Sequence, residues 1–334
     1  MSLPVSNLSK NGCLLKALRN YTILLMDEIL KSAVAIVVTY KRHSLLKECL
    51  LALQGHNLDQ IIIVNNGGVE DSLTCQTVNT VSEQTHTPIT LINTDKNLGG
   101  AGGFALGIEQ AIETEFDFVW LMDDDCIPDQ GALAALIKVA SSGKNDSLGR
   151  PYGFYASRVF WTDQSLHNMN IPELSQDWSR ALHLTNDALE IRRCSFVSVL
   201  IPSAAIKKIG LPIKEFFIWG DDVEFTLRIS DFYGFGQYCL DSSVHHKTTS
   251  NEKVNFRNIL PVDAWKYQYA FINSHATLWG RGEYLQTILS FLRTSVDIVY
   301  GKSPFLVKRS VLRGLLSIPK QARIVAKYNH GLKS

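Results

Sequence analysis

Strand-like and helix-like patterns alternate between Val34 and Met122, and this alternation constrains the fold more than any other feature of the sequence. The short β-branched or apolar runs are at 34–39, 61–64, 89–92 and 116–122. A helical period follows the first run, and a glycine-rich segment that opens a helix follows the third. Such alternation predicts a mainly parallel sheet with helices on both faces. Because ligands bind beyond the carboxyl ends of parallel strands, the polar residues after these runs should meet at one rim.

The rest of the chain divides into an irregular insertion, the end of the sheet and a helical region. Residues 143–193 are rich in Ser, Asn, Asp and Trp, which predicts loops around a strand at 154–160. From Val262 onward the pattern is helical. The strand patterns that complete the sheet are at 196–201, 235–240 and 244–246, and a helical pattern lies between them at 221–229. We predict an N-terminal extension over 1–32, an α/β domain over 33–255 and a C-terminal helical region over 256–334.

The charge of the chain is divided unevenly between these parts. The formal net charge is +1, yet residues 261–334 contain 11 Lys or Arg and 3 Asp or Glu, which leaves the tail at +8 and the body at −7. Basic amphipathic helices suit an anionic membrane surface. They could equally cap the sheet or form an interface in a homo-oligomer, and both interpretations stay open. Nothing in the pattern indicates a nucleic-acid partner.

The cysteines and the N-terminal region bear on the cellular compartment. The six cysteines are scattered without a C-x-x-C pair, which indicates neither a disulfide framework nor a thiolate zinc site. An apolar stretch at 21–26 is bracketed by Arg19 and Asp27 and is too short for a signal peptide or a membrane span. We therefore expect a cytoplasmic protein, with peripheral contact to the inner face of the cell membrane as the alternative for its basic tail.

Three consecutive carboxylates, Asp123, Asp124 and Asp125, follow the apolar run at 116–122. Carboxylates at the end of a buried strand repel one another and are costly to desolvate unless a cation compensates them. Mn²⁺ or Mg²⁺ suits such oxygen ligands and can stabilise a departing diphosphate. The alternative is a solvated acidic turn.

Two further groups of residues could complete such a site. The first is the acidic pair Asp221 and Asp222, which opens a helix and could act either as a general base or as a simple helix cap beside Glu224. The second is the pair His245 and His246 at a strand end, where a histidine could be a third metal ligand. Because alternate residues of a strand face opposite sides, only one of them can point at the metal.

The glycine-rich segment at 97–103 raises an alternative from another class of protein. Gly100, Gly102 and Ala105 satisfy G-x-G-x-x-A, and Asp123 ends the next strand, as in a nicotinamide dehydrogenase. The fingerprint normally follows the first strand, however, whereas two strands precede the strand that leads into this segment, and hydride transfer explains neither three carboxylates nor a second acidic pair. A third hypothesis is a non-catalytic module that binds carbohydrate or calcium through the same acidic loops.

Taken in order, six segments of the sequence resemble the family-2 inverting glycosyltransferases. The segments are Val37 to Arg42, Ile63 to Gly67, Asn97 to Gly103, Trp120 to Asp125, Trp219 to Glu224 and Val244 to Lys247. The resemblance covers about residues 33–250 and is strongest to the galactofuranosyltransferase and rhamnosyltransferase branch of bacterial polysaccharide assembly. It implies a GT-A fold, which is a Rossmann-like mixed sheet with helices on both faces.

The resemblance also implies roles for individual residues. The family's metal ligands correspond to Asp123, Asp125 and His246, its base corresponds to Asp222 with Asp221 as the second candidate, and Asp124 would face the donor. The expected substrate contacts are Thr39, Arg42 and Asn66 at the nucleotide, Asn97 and Gly100 near the donor sugar, and Trp219 beside the acidic pair. Asn65 stands where the family usually has Asp, so the contact to a uracil base at that position is open.

The implied reaction is the transfer of a sugar from a nucleotide diphosphate, with Mn²⁺ or Mg²⁺ as cofactor. The branch implies galactofuranose from UDP-galactofuranose and a hydroxyl of a lipid-linked glycan acceptor in bacterial cell-surface polysaccharide synthesis. A rhamnosyltransferase that uses dTDP-rhamnose is the alternative within the family.

Overall fold

The computed structural model describes residues 31–175 and 188–332, and the predicted extension over 1–32 lies almost entirely outside them. The elements of the first half are β1 (Ala33–Thr39), α1 (His43–Leu53), β2 (Gln60–Asn65), α2 (Ser72–Ser82), β3 (Ile89–Asn93), α3 (Gly99–Ile112), β4 (Phe118–Asp123), β5 (Cys126–Pro128) and α4 (Ala132–Ala140). Those of the second half are β6 (Phe154–Phe160), β7 (Glu173–Leu174), β8 (Ala188–Arg193), β9 (Val199–Pro202), α5 (Ser203–Ile209), α6 (Asp221–Phe232) and β10 (Gly236–His246). The C-terminal helices are α7 (Ala264–Gly280), α8 (Tyr284–Tyr300), α9 (Phe305–Arg313) and α10 (Ile318–His330).

The strands form one mixed sheet in the order β3-β2-β1-β4-β9-β6-β10-β8-β7, with β5 paired to the end of β10. The first four strands are parallel to one another, whereas β9 runs antiparallel to both β4 and β6. Alternate residues of β1 face opposite layers. Ala35 and Val37 pack in the cluster that includes α1 and α4, while Ile36 and Val38 pack against α3 and α6. This arrangement confirms the predicted fold class.

Two strand predictions differ from the structure in their bounds. The run at 196–201 becomes a strand only from Val199, because Ser198 has a φ of 59° and the residues before it form a turn. The runs at 235–240 and 244–246 belong to one strand, β10, whose pairing with β6 shifts register between Cys239 and Ser243. A β-bulge therefore interrupts the apolar pattern without ending the strand.

The C-terminal helices pack on one another and on the α/β domain. Phe271 of α7 and Ile298 of α8 share a core with Val307 and Val311 of α9. Val325 of α10 packs in a second cluster with Ala101, Ile213 and Phe216. Within residues 31–175 and 188–332, no helix combines the length and apolar character needed to cross a membrane. The apolar stretch at 21–26 lies outside the described residues.

Candidate active site

The topology brings the two acidic segments and the strand-end histidine to one rim of the sheet. Strand β1 is parallel to β2 and β4, so Thr39 lies opposite Asn65 and Val38 lies opposite Asp123 at the carboxyl ends. The short strand β5 then pairs antiparallel with the end of β10, which sets His246 opposite Cys126. His246 thereby reaches the acidic triplet, although it lies 121 positions after Asp125 in the chain.

Asp123, Asp125 and His246 form a cluster in which one ligand atom from each lies within 4.8 Å of the others. His246 Nε2 is 3.2 Å from Asp125 Oδ1. On the other side of the ring, Nδ1 donates to Asn170 Oδ1 at 2.9 Å, and the amide of Asn170 donates to Ser195 Oγ at 2.8 Å. This contact fixes the ring orientation and leaves Nε2 facing Asp125, which is an arrangement common among metal-binding histidines.

His245, the neighbour of this histidine, points away from the triplet. Its Nε2 lies 3.2 Å from Asp129 Oδ1, on the opposite side of β10. The alternation of side chains along a strand thus separates the two histidines, and the structure brings His246 to the acidic cluster.

The electrostatics of the cluster fit a cation. Burial and the charge of Asp125 raise the pKa of Asp123, and burial raises the pKa of Asp124 to about 7 against the opposing effect of Arg42. Although burial opposes it, the contacts with His246 and Arg42 lower the pKa of Asp125 to about 2. The same contact with Asp125 raises the pKa of His246 against its own burial. Two carboxylates and one imidazole suit Mn²⁺ or Mg²⁺, and a divalent ion would relieve the repulsion among these buried charges.

Three of the predicted substrate residues form one linked group. Thr39 Oγ1 donates to Asp124 Oδ2 at 2.7 Å, and Arg42 Nε donates to the same oxygen at 3.2 Å. Arg42 Nη1 also donates to Asp125 Oδ2 at 2.6 Å. The Asp124 side chain has no exposed surface, so in this structure it supports Thr39 and Arg42, and a direct contact with the donor stays a prediction. Arg42 is half-exposed and is the member of the group that can reach a ligand.

The glycine-rich segment is the first turn of α3 and is held by Asn66. Asn66 Nδ2 donates to the Gly99 carbonyl at 2.9 Å, and Asn66 Oδ1 accepts from Leu98 N at 3.1 Å. Asn97 is exposed, and its Oδ1 accepts from Gly99 N at 2.8 Å. Asn66 is buried and fully occupied in this role, whereas a Cβ on Gly100 would meet only open space. Asn97 and Gly100 therefore remain accessible on this side of the rim.

Asn65, which stands where the family-2 glycosyltransferases usually have an aspartate, is fully buried. Its Nδ2 donates to the Gly68 carbonyl at 3.0 Å and to Asn93 Oδ1 at 2.9 Å, and its Oδ1 accepts from Gly67 N at 2.9 Å. The side chain thus shapes the turn after β2.

The loop that leads into the acidic pair has an unusual backbone. Phe217, Trp219 and Gly220 all have positive φ angles, of 63°, 60° and 91°. A non-glycine residue in this region costs on the order of 1–2 kcal/mol, so surrounding contacts must hold the loop in place. One contact is from Ala101 N of α3, which donates to the Phe217 carbonyl at 3.1 Å.

The other contact comes from the C-terminal helices. The buried side chain of Asn273, on α7, directs its Nδ2 at the carbonyl oxygens of Phe216, Ile218 and Trp219, at 3.0, 3.1 and 2.8 Å. A single amide nitrogen thus contacts three backbone carbonyls of the loop. No local sequence signal marks either Asn273 or Asn170, because both act through partners more than 50 residues away.

The acidic pair lies in the first turn of α6, with Gly220 at the cap position and no side-chain cap bond. Neither aspartate is therefore the N-cap residue, although Asp222 Oδ1 accepts from Val223 N in the first turn at 2.7 Å. Asp221 is buried, and burial together with Asp222 raises its pKa well above the usual value. Asp222 is half-buried, and burial and Asp123 raise its pKa to about 6, while Arg193 opposes this rise. Glu224 is also not a cap, since it forms a buried ion pair with Arg228 at 3.0 Å.

A cavity of about 410 Å³ lies between α6 and α7 next to the acidic pair. Trp219, Gly220 and Val223 form the wall nearest the pair, and Arg192, Arg193, Glu173 and Glu283 supply charged groups. An aromatic ring with several hydrogen-bonding groups suits a carbohydrate, whose rings have apolar faces and hydroxyl edges.

Comparisons with known proteins agree with this geometry. The model of the family "Glycosyl transferase family 2" matches residues 34–205, which include the acidic triplet but end before the acidic pair and His246. The chain is 32% identical to galactofuranosyltransferase GlfT1 of Mycobacterium tuberculosis over 238 residues, covering 66% of this chain and 72% of that protein. It is 29% identical to GlfT1 of Mycolicibacterium smegmatis over 235 residues, covering 65% of this chain and 72% of that protein.

A solved structure is similar in fold. The crystal structure of GalNAc-T7 with UDP, GalNAc and Mn²⁺ superposes with a TM-score of 0.54 at 11% identity, covering 86% of this chain and 55% of that chain. At this identity the likeness concerns the fold alone. The family match and the two relatives disfavour both the dehydrogenase and the non-catalytic binding module.

Proposed function

This chain belongs to glycosyl transferase family 2, and from that premise we propose that it transfers galactofuranose from UDP-galactofuranose to a glycan hydroxyl with inversion of configuration. The choice of sugar is supported by the two relatives, which are both galactofuranosyltransferases. The observation that carries the reaction type is the convergence of two acidic sites on one rim. Asp123 belongs to the first site and raises the pKa of both carboxyls in the second.

The first site would receive the diphosphate of the donor. A divalent cation, Mn²⁺ or Mg²⁺, bound by Asp123, Asp125 and His246 would neutralise the diphosphate and stabilise it as a leaving group. Asn170 holds the histidine ring in the ligating orientation. Arg42, which is half-exposed, adds a positive charge on the same side. Thr39 and Asp124 fix the guanidinium of Arg42 in place.

The second site would activate the acceptor. The C1–O bond to the diphosphate breaks while a bond from C1 to the acceptor oxygen forms, and the hydroxyl proton passes to the carboxylate of Asp222. A pKa of about 6 leaves this carboxylate ionised at neutral pH yet more basic than an ordinary aspartate. Burial and Asp222 raise the pKa of Asp221 well above its usual value, and its side chain is buried whereas that of Asp222 is only half-buried, which makes Asp221 the weaker candidate.

The cavity beside Trp219 supports a carbohydrate acceptor. Its lining includes Gly220 and Val223, the residues that flank the acidic pair in the chain, and Arg193 both lines it and interacts with Asp222. An acceptor sugar in this cavity would present a hydroxyl to Asp222 while its ring lies against the indole. A lipid-linked glycan of a bacterial cell surface is the acceptor class that we propose.

The test is a panel of donors assayed with a synthetic glycan acceptor that has an alkyl tail. UDP-galactofuranose, UDP-galactopyranose and dTDP-rhamnose are compared by release of the nucleoside diphosphate, and NMR of the product gives the anomeric configuration. We expect the fastest transfer from UDP-galactofuranose, an inverted linkage and a loss of transfer in Asp222→Asn. Preference for dTDP-rhamnose would replace the proposed sugar with the alternative. A retained configuration would contradict the assigned role of Asp222.

A further inference from the structure

A row of exposed apolar side chains lies along α8. Its members recur every three or four residues and are between 49% and 83% exposed: Tyr284, Leu285, Ile288, Leu289, Leu292, Val296, Val299 and Tyr300. The opposite side of the helix is used for packing, since Phe291 contacts Phe271 of α7 with ring centroids 5.9 Å apart. A helix with one side packed and the other side apolar in water requires a partner for its outer face.

The outer side of α9 continues this surface. Phe305 and Leu306, at its start, are 74% and 73% exposed. Arg309 and Arg313 follow Phe305 at intervals of four residues, so the three side chains lie on one side of the helix. We call the exposed sides of α8 and α9 the apolar face.

The charge around the apolar face has one sign. Residues 284–330 contain eight Lys or Arg and a single acid, Asp297. That acid is already paired with Arg257, whose Nε is 2.6 Å from Asp297 Oδ1. Exposed cations border the apolar side chains, since Arg293 lies four residues after Leu289 and three before Val296 on α8, and Arg309 lies between the positions of Phe305 and Arg313 on α9.

We propose that the apolar face lies on the surface of an anionic lipid bilayer. The exposed leucine, isoleucine and aromatic side chains enter the boundary between headgroups and acyl chains, and the arginines contact lipid phosphates. The helix lies in the plane of the membrane because its other side is packed against α7. A second copy of the chain is a poorer partner, because a two-fold contact through this face would bring two basic surfaces together.

The experiment is flotation of the full chain with vesicles of phosphatidylcholine alone or mixed equally with phosphatidylglycerol. We expect binding to the anionic vesicles, weak binding to the neutral ones, and partial release as salt rises, because screening removes the charge contribution and leaves the apolar one. The double variant Leu285→Ser with Leu292→Ser should bind about tenfold more weakly or worse. Arg309→Gln with Arg313→Gln should lose about fivefold per charge on anionic vesicles only.

Leu148→Ser is the matched control, since Leu148 is 65% exposed but lies in the α/β domain. It should bind vesicles like the native chain. Sedimentation of the native and variant chains without lipid tests the other partner. If the native chain does not float with anionic vesicles, or if the double leucine variant floats equally well, the proposal is wrong. A native dimer that the leucine variant converts to a monomer would assign the face to a second copy instead. None of these outcomes depends on the sugar that is transferred.

Discussion

Asp222→Asn is the substitution that tests the reaction mechanism most directly. The amide keeps the shape of the side chain, and its Oδ1 can still accept from Val223 N, a contact of 2.7 Å in the native chain. What it loses is the ability to accept a proton. General base catalysis of this kind contributes about 10²-fold or more to the rate, so turnover should fall by at least that factor while donor affinity stays nearly unchanged.

The pH dependence provides a second magnitude. The base acts when it is deprotonated, so the rate should rise with pH and level off above the pKa of Asp222, which is about 6. At pH 5 about one tenth of the carboxyl is ionised, which predicts a rate about tenfold below the plateau. Burial and the charge of Asp123 raise the pKa of Asp222 and so shift the rising part of the pH profile to higher pH, whereas Arg193 shifts it to lower pH. Arg193→Gln should therefore raise the pKa of Asp222 and move the rising part of the profile to higher pH.

The measurements are donor affinity by calorimetry and single-turnover transfer across pH 5 to 8 at saturating donor. Asp221→Asn is the matched control and should have the milder effect, because that side chain is buried and is less accessible to an acceptor than Asp222. If Asp222→Asn transfers sugar at the native rate while Asp221→Asn is inactive, the two roles are exchanged. If both variants remain active, the inverting mechanism itself must be abandoned.

Three further predictions concern the metal cluster, the glycine-rich turn and the loop. Exhaustive chelation should abolish transfer until Mn²⁺ or Mg²⁺ is returned, and His246→Gln should raise the metal concentration needed for half activity. Full activity after chelation would refute the role of a metal in transfer. Gly99→Ala should lower the melting temperature, because Gly99 has a φ of +71° and a Cβ would collide with the Phe217 carbonyl, whereas Gly100→Ala should melt like the native chain. Asn273→Asp replaces a hydrogen-bond donor by a carboxylate that faces three carbonyl oxygens. We therefore expect kcat to fall about tenfold or more with little change in the KM for the donor. A native kcat would exclude Asn273 as a positioning residue.

Each of these predictions has its own control. Asn329→Asp tests for a general effect of an acid buried in the helical region, since Asn329 is a buried asparagine of α10. Equal melting temperatures for the two glycine variants would show that the left-handed turn at Gly99 is not required.

The sequence predicts those parts of the fold and the site that depend on local pattern. The alternation from β1 to β4 follows from hydrophobic period, and the triplet at the end of β4 follows from three adjacent letters. Helix α2 was not predicted, because only Thr74, Val78 and Val81 of its residues are buried and its apolar pattern is correspondingly weak. Tertiary contacts decide the rest. No period marks Asn170 as the partner of His246, and a bulge inside β10 breaks the alternation on which strand bounds are read.

The same limit explains why the C-terminal region looks like a separable tail in the sequence. Its charge and its helical pattern set it apart at residue 256, yet Val325 packs with Ala101 and Phe216, and the Asn273 amide binds the loop in front of the acidic pair. Deleting the chain after Ser303 would remove α10 and expose that cluster, so point variants on the full chain are the sound test of membrane contact.

The three carbonyl contacts of Asn273 also determine how this protein can be recombined with its relatives. A chimera that joins the sheet of one family member to the C-terminal helices of another must take the turn at 216–219 and helix α7 from the same parent. A helix from another parent that has no amide at position 273 would leave the left-handed backbone at Phe217 and Trp219 without this contact. The loop in front of the acidic pair and helix α7 therefore form one unit of exchange, although more than 50 residues separate them in the chain.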